Sequence, residues 1–344
     1  MEKYIADLAA TMQKLSQKGV GILAADESVA TITKRFEALN IPSTPESRLA
    51  YRELLVTTPG ISEYIAGVIL FEETLNQTTS TGLPFPDLLN KLGILAGIKV
   101  DKGLVNLPRT HDEQTTQGLD NLGERLAAYK AQGASFAKWR AVYQISGNTP
   151  STLAIRANAE GLAAYAALCQ AHGIVPIVEP EILIDGEHTI ESCAEVTEKV
   201  LHAVFNSLFK HKVMLEYMIL KPSMVINGKK CAAIASAEQV GKATVSILRR
   251  TVPAAVPTIN FLSGGQSPLE ATANLNAMNL LAGNPWNLSF SYARALQDYC
   301  MKTWKGDAKN TAAAQQIFLA RAKLNSLAST GKYTAVLEKE ATTA

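Results

Sequence analysis

Eight short runs of nearly continuous apolar residues recur along the chain, and most intervals between them space their apolar residues as a helix does. The runs are GVGILAADES (19–28), GVILFEE (67–73), GIKVDKG (97–103), ASFAKWRAV (134–142), GIVPIVEPEIL (173–183), VMLEYMILKPS (213–223), TINFLSGG (258–265) and LSFSYARAL (288–296). Two clear helical intervals are EGLAAYAALCQAHG, with Gly173 as its C-cap, and ESCAEVTEKVLHAVFNSLFKH. Strands alternating with helices predict a parallel sheet, and strands apolar throughout predict burial on both faces. Eight such units predict a (β/α)8 barrel of the TIM type, a single α/β domain. A doubly wound sheet is the alternative, but no G-x-G-x-x-G follows the first run.

No linker or shift in composition divides the chain. The domain is therefore expected to span 1–334, opening with an amphipathic helix in MEKYIADLAATMQKLSQKG. The end of the chain, KYTAVLEKEATTA, is polar and expected to be mobile, with 335–344 as a short tail. At 344 residues the chain exceeds the ~250–300 at which one core usually stops growing, a limit that large α/β barrels escape.

Charge and composition narrow the function. A net charge of +2, from 33 basic and 31 acidic residues, leaves no electrostatic footprint for nucleic acid or an anionic membrane. No apolar run approaches the ~20 residues of a membrane span. Cys169, Cys193, Cys231 and Cys300 lie far apart, which fits a reducing cytoplasm rather than a disulfide framework. The five histidines show no metal-ligand spacing, so neither a metal nor another cofactor is expected.

In such a barrel the active site lies at the carboxyl ends of the strands. Asp26, Lys99, Asp101, Lys138, Arg140, Glu179, Glu181, Lys221 and Arg294 all fall late in their runs. Side chains two apart share a strand face, so Lys99 with Asp101, Lys138 with Arg140, and Glu179 with Glu181 can each point both members into the barrel mouth. Glu72 and Glu73, being adjacent, would face opposite ways and are read as structural. A self-satisfied salt-bridge rim is the bland alternative for any one pair. Charge at the same end of six strands is harder to ascribe to coincidence.

A lysine becomes a covalent catalyst when its amine sheds its proton, which burial and a neighbouring cation favour. Lys221 is the candidate Schiff-base nucleophile, with Lys138 as the neighbouring cation and Glu179 or Glu181 as the acid and base that carbinolamine chemistry needs. The grouping suits aldol or transaldol chemistry on a ketose. Ser263, Gly264 and Gly265 of FLSGGQS, beside Arg294, can hold one phosphate, and Lys34 and Arg35, read as opening the helix after the first strand, a second. Two anion sites fit a sugar bisphosphate.

The chain resembles class I fructose-bisphosphate aldolases, through GILAADES, GVILFEETL, GIKVDKG, GLDNLGERLAAYKAQGASFAKWRAV, GIVPIVEPEIL, LKPSMV, FLSGGQS, FSYARALQ and NSLASTGKYT, essentially residues 20 to 334. The resemblance implies a metal-independent barrel enzyme, usually a homotetramer, that reversibly cleaves fructose 1,6-bisphosphate into dihydroxyacetone phosphate and glyceraldehyde 3-phosphate. It implies Lys221 as the Schiff-base lysine, Glu179 as the main acid/base, Glu181 as its assistant, and Asp26 as the group orienting the hydroxyls at the cleaved bond. Lys138 and Arg140 would place charge around these groups, and Lys99 would hold substrate polar groups. Ser263 and Gly264, with Ser291 and Arg294, would take the C1 phosphate. Ser28, Thr31, Lys34 and Arg35 would take the C6 phosphate. Many members close on a terminal tyrosine, whereas here GKYT is followed by AVLEKEATTA, so removing the residues after Thr334 is expected to change activity little. A Schiff-base lyase for sedoheptulose bisphosphate and a non-catalytic scaffold are the other readings.

Overall fold

The structure, a computed structural model, describes residues 2–343, with side chains from 3 to 339. Its strands are β1 (Gly21–Ala25), β2 (Ile65–Leu70), β3 (Leu95–Lys99), β4 (Leu104–Asn106), β5 (Gln114–Thr116), β6 (Ala134–Tyr143), β7 (Val175–Ile182), β8 (Ile219–Leu220), β9 (Thr258–Phe261) and β10 (Asn287–Tyr292). Eight of them close a barrel in the order β1-β10-β9-β8-β7-β6-β3-β2, every neighbouring pair parallel. These are the eight apolar runs of the sequence, and helices between them cover the outside. β4 and β5 form a separate antiparallel pair that the apolar pattern did not show.

Alternation along each strand sorts the side chains. On β6, Ala137, Trp139 and Ala141 face outward into the layer between strands and helices, while Phe136 turns inward. On β7, Val175 and Ile177 turn inward. Ile22 and Ala24 of β1, Ala66 and Ile69 of β2 and Ile219 of β8 belong to the same cluster, and Leu8, Met12 and Leu15 of the helix Ile5–Leu15 complete it. The amphipathic N-terminal helix thus plugs the amino end of the barrel. Phe136 fills the space that two glycines leave: a Cβ on Gly67 would lie 2.8 Å from Leu15 and 2.9 Å from Phe136, and one on Gly97 would overlap the Phe136 ring.

Each inward series changes character as it climbs. Val175 and Ile177 lead to Glu179 and Glu181, Phe136 to Lys138 and Arg140, Ile22 and Ala24 to Asp26, Gly97 to Lys99, and Ile219 to Lys221. Apolar side chains fill the lower barrel, and period-two geometry then carries the charged residues into its mouth.

Three runs fold differently from their simple strand reading. In 213–223, Leu215–Tyr217 is a 3₁₀ turn and only Ile219–Leu220 is strand. Pro222 has no N–H to continue the ladder, although the Lys221 N–H still donates to the Val178 carbonyl at 2.8 Å. In 67–73 the strand stops at Leu70 and Glu72 opens the helix Glu72–Leu75. In 288–296 the strand stops at Tyr292, and Arg294 is the first residue of the helix Arg294–Trp304. Beyond Tyr333 the chain enters the helix Ala335–Thr343, whose Glu338 pairs with the buried Arg321 and accepts from Tyr333 at 3.0 Å. Ala344, the last residue of the expected tail, lies outside the described residues.

Candidate active site

The mouth of the barrel opens into a cavity of about 870 Å³. Asp26, Ser28, Thr31, Lys34, Arg35, Lys99, Lys138, Arg140, Glu179, Glu181, Lys221, Ser263, Gly264, Ser291 and Arg294 all line it. Gly265, also read from the sequence, is not among the lining residues: a Cβ placed on it would lie 2.9 Å from Lys229 and 3.0 Å from Ile184. Its φ of +84° lies in the left-handed region that favours glycine in this turn.

Lys221 and Lys138 are each 4% exposed, as is Glu179 between them. The Lys221 ammonium lies 3.3 Å from one Glu179 oxygen, and the Lys138 ammonium lies 3.5 Å from the other. Lys138 also pairs with Asp26 at 2.7 Å and approaches Asp101 at 4.0 Å. Lys99 pairs with Asp101 at 2.6 Å, and Arg140 donates to Glu181. Four carboxylates therefore meet four cations, which is how charge survives away from water.

Burial by itself would raise the Asp26 carboxyl, but Lys138, Lys221 and Lys99 outweigh it and bring the group down to about 2. Burial likewise acts to lower the Lys138 ammonium, and Asp26, Glu179 and Asp101 reverse this and raise it well above its ordinary value. At neutral pH Asp26 is thus a fixed negative acceptor and Lys138 a fixed cation.

Two polar ends flank this centre. At one, the buried Ser291 hydroxyl makes no hydrogen bond within the protein, and Ser263 and Gly264 lie beside it. The helix Arg294–Trp304 begins here on Ala293, with no side chain capping its first N–H groups. A free hydroxyl, a helix N-terminus and an exposed guanidinium make an anion site. At the other end, Ser28 caps the helix Val29–Glu37 and accepts from the Thr31 N–H. Lys34 and Arg35 fall in the last turn of that helix rather than at its opening. Lys34 is exposed, whereas Arg35 turns inward onto Glu27, Gln297 (3.1 Å) and Asp298 (3.1 Å).

Glu27 and Lys102, which the sequence reading did not single out, also line the cavity, as do Asp101, read from the sequence as the same-face partner of Lys99 but given no role, and Glu72, read as structural. Glu72 accepts from Tyr129 at 2.7 Å and from Lys102 at 3.0 Å, while Glu73 pairs with Arg48, so the adjacent acids are anchors of their helix. Beneath them Arg52, 1% exposed, donates to the carbonyls of Ala25 (3.2 Å) and Glu27 (2.7 Å), the residues on either side of Asp26. Among the described residues no group of three or more His, Cys, Asp or Glu is arranged to hold a metal ion, and no helix is long and apolar enough to cross a membrane.

A family model described as fructose-bisphosphate aldolase class-I matches residues 7–344. The fructose-bisphosphate aldolase of Dictyostelium discoideum is 55% identical over 96% of this chain and 94% of its own length. The cytoplasmic isozyme of Spinacia oleracea is 54% identical over 96% and 93%. Among solved structures, the Plasmodium falciparum fructose-bisphosphate aldolase, in complex with TRAP and a small-molecule inhibitor, matches with a TM-score of 0.96 at 52% identity, covering 97% of each chain. A strand-end lysine held against a glutamate, near-complete alignment and identities above one half agree: the chain belongs to the class-I fructose-bisphosphate aldolase family.

Proposed function

We infer that this protein reversibly cleaves fructose 1,6-bisphosphate into dihydroxyacetone phosphate and glyceraldehyde 3-phosphate through an imine on Lys221. The observation that carries this reading is the 3.3 Å contact between the Lys221 amine and Glu179 in a cavity with polar groups at both ends. Glu179 would accept a proton from Lys221, freeing the amine to attack the C2 ketone, and would return a proton to the carbinolamine hydroxyl as it leaves as water. The resulting iminium draws in the electron pair of the C3–C4 bond as Glu179, ionised again after giving up its proton, takes the proton of the C4 hydroxyl and the aldehyde departs. That proton then goes to C3 of the enamine, and water hydrolyses the iminium to release dihydroxyacetone phosphate and free Lys221. Asp26, held charged, would accept from that hydroxyl and fix its direction. Lys138 would keep Asp26 and Glu179 in register, and Glu181, set by Arg140, would assist imine formation.

Ser263, Gly264, Ser291 and Arg294 would hold the C1 phosphate, and Ser28, Thr31 and Lys34 the C6 phosphate, with Lys99 on the polar groups between. Arg35 would act there mainly through Glu27, since its guanidinium is already engaged. One catalytic unit over 1–334, a cytoplasmic location and a homotetramer complete the proposal. The relatives named cytosolic or cytoplasmic support the second, and sedimentation tests the third.

Cleavage assayed in the presence of EDTA tests the reading. Turnover of fructose 1,6-bisphosphate is expected for the unsubstituted protein and none for Lys221→Met. Wild-type turnover by Lys221→Met would refute the imine, and turnover confined to sedoheptulose bisphosphate would refute the substrate.

A further inference from the structure

We propose that Asp101 is a positioning residue for this reaction, one that holds Lys99 before substrate arrives and takes up Lys138 when substrate draws Lys99 away. The proposal rests on the aldolase reading and extends it to a carboxylate that has no role there.

The two oxygens of Asp101 are differently placed. Oδ1 accepts from the Lys99 ammonium at 2.6 Å and from the Gly103 N–H at 3.2 Å, and Lys99 donates again to the Asp101 backbone carbonyl at 2.9 Å. Oδ2 is buried and makes no hydrogen bond, yet it lies 4.0 Å from the Lys138 ammonium. Buried carboxylate oxygens rarely go without a partner. The barrel explains the placement: Lys99 and Lys138 stand opposite each other in the β3–β6 register, so one aspartate just past the end of β3 reaches both.

Lys138 is otherwise served by Asp26 and Glu179. In the reaction both have other work, because Asp26 turns to a substrate hydroxyl and Glu179 carries a proton. A cation only 4% exposed then needs a carboxylate that is not consumed. The terminal torsion of an aspartate is broad, so a small rotation carries Oδ2 onto Lys138 once Lys99 releases Oδ1. Occupation of the substrate site at Lys99 is thereby linked to the hold on Lys138, and through Lys138 to Glu179.

The test is turnover counted per Lys221 that borohydride traps with dihydroxyacetone phosphate, so that any unfolded fraction drops out. Asp101→Asn keeps the shape and the acceptor for Lys99 and Gly103 but loses the charge. Its kcat per trapped site is expected to fall on the order of 100-fold, the cost of misplacing a catalytic group by about 1 Å. KM is expected not to rise, since Lys99 is held less strongly. Asp101→Glu, which keeps the charge, is expected to recover part of the loss. Unchanged kcat per trapped site in Asp101→Asn, a raised KM with kcat intact, or no recovery in Asp101→Glu would each overturn the proposal. Failure of the unsubstituted protein to form the adduct on Lys221 would instead strike down the aldolase reading, and the proposal with it.

Discussion

Replacing Asp26 by asparagine isolates the electrostatics of the barrel mouth. The carboxyl is brought from an ordinary 3.8 to about 2, first against burial, which acts the other way, and then by Lys138, Lys221 and Lys99. At ~1.36 kcal/mol per pKa unit, that lowering corresponds to roughly 2 kcal/mol of folding stability. Because the folded value lies below the unfolded one, that stability is present in full above the unfolded value near pH 4 and is lost as pH falls through about 2. At pH 3 about half remains. Asparagine has the same shape and no titration. The unfolding free energy of the natural protein and of Asp26→Asn, measured in denaturant at a fixed protein concentration, should therefore converge by about 1 kcal/mol between pH 7 and pH 3. A gap that stays constant, or widens, would refute the claim that Asp26 sits as a charged acceptor among lysines.

Further outcomes follow from particular contacts. Ser291→Ala removes a buried hydroxyl with no partner in the protein, so it should leave stability nearly unchanged while raising KM for the bisphosphate on the order of 10-fold, as steady-state kinetics would record. Arg52→Met strips the donors from the carbonyls flanking Asp26, while Glu27 and Glu73 keep Arg35 and Arg48; chemical denaturation should show a loss of about 2–4 kcal/mol, with kcat reduced alongside. Truncation after Thr334 should leave cleavage turnover within about 2-fold in a coupled assay. The same truncation should lower the unfolding midpoint, because it removes Glu338 from the buried Arg321.

The sequence conveyed the parts of this fold that rest on repetition. Strands such as VPIVEPEI are apolar at their base and charged at alternate positions near their end, and that pattern is enough to place Glu179 and Glu181 on one face. What it did not convey depends on contacts between distant segments. Arg52 reaches back to Ala25 and Glu27 from a separate helix, and nothing in its local pattern marks it. The pairing of Leu104–Asn106 with Gln114–Thr116 involves three-residue strands with no alternation to detect. Arg35 looked like a free phosphate ligand because Glu27 and Asp298 come together beside it only in the folded barrel. Asp101 was visible as the same-face partner of Lys99, but its approach to Lys138 required the β3–β6 register. Gly265 was grouped with Ser263 and Gly264 by adjacency alone, and it packs against Lys229 and Ile184 instead of lining the cavity.

The proposed function turns on a covalent bond between Lys221, buried against Glu179, and a sugar ketone. Borohydride reduction in the presence of dihydroxyacetone phosphate and EDTA, followed by peptide mass mapping, tests it most directly. A stable adduct is expected on the peptide containing Lys221 and none in Lys221→Met; an unmodified Lys221 in protein that still cleaves the substrate, or an adduct on another lysine, would rule out the imine at this position.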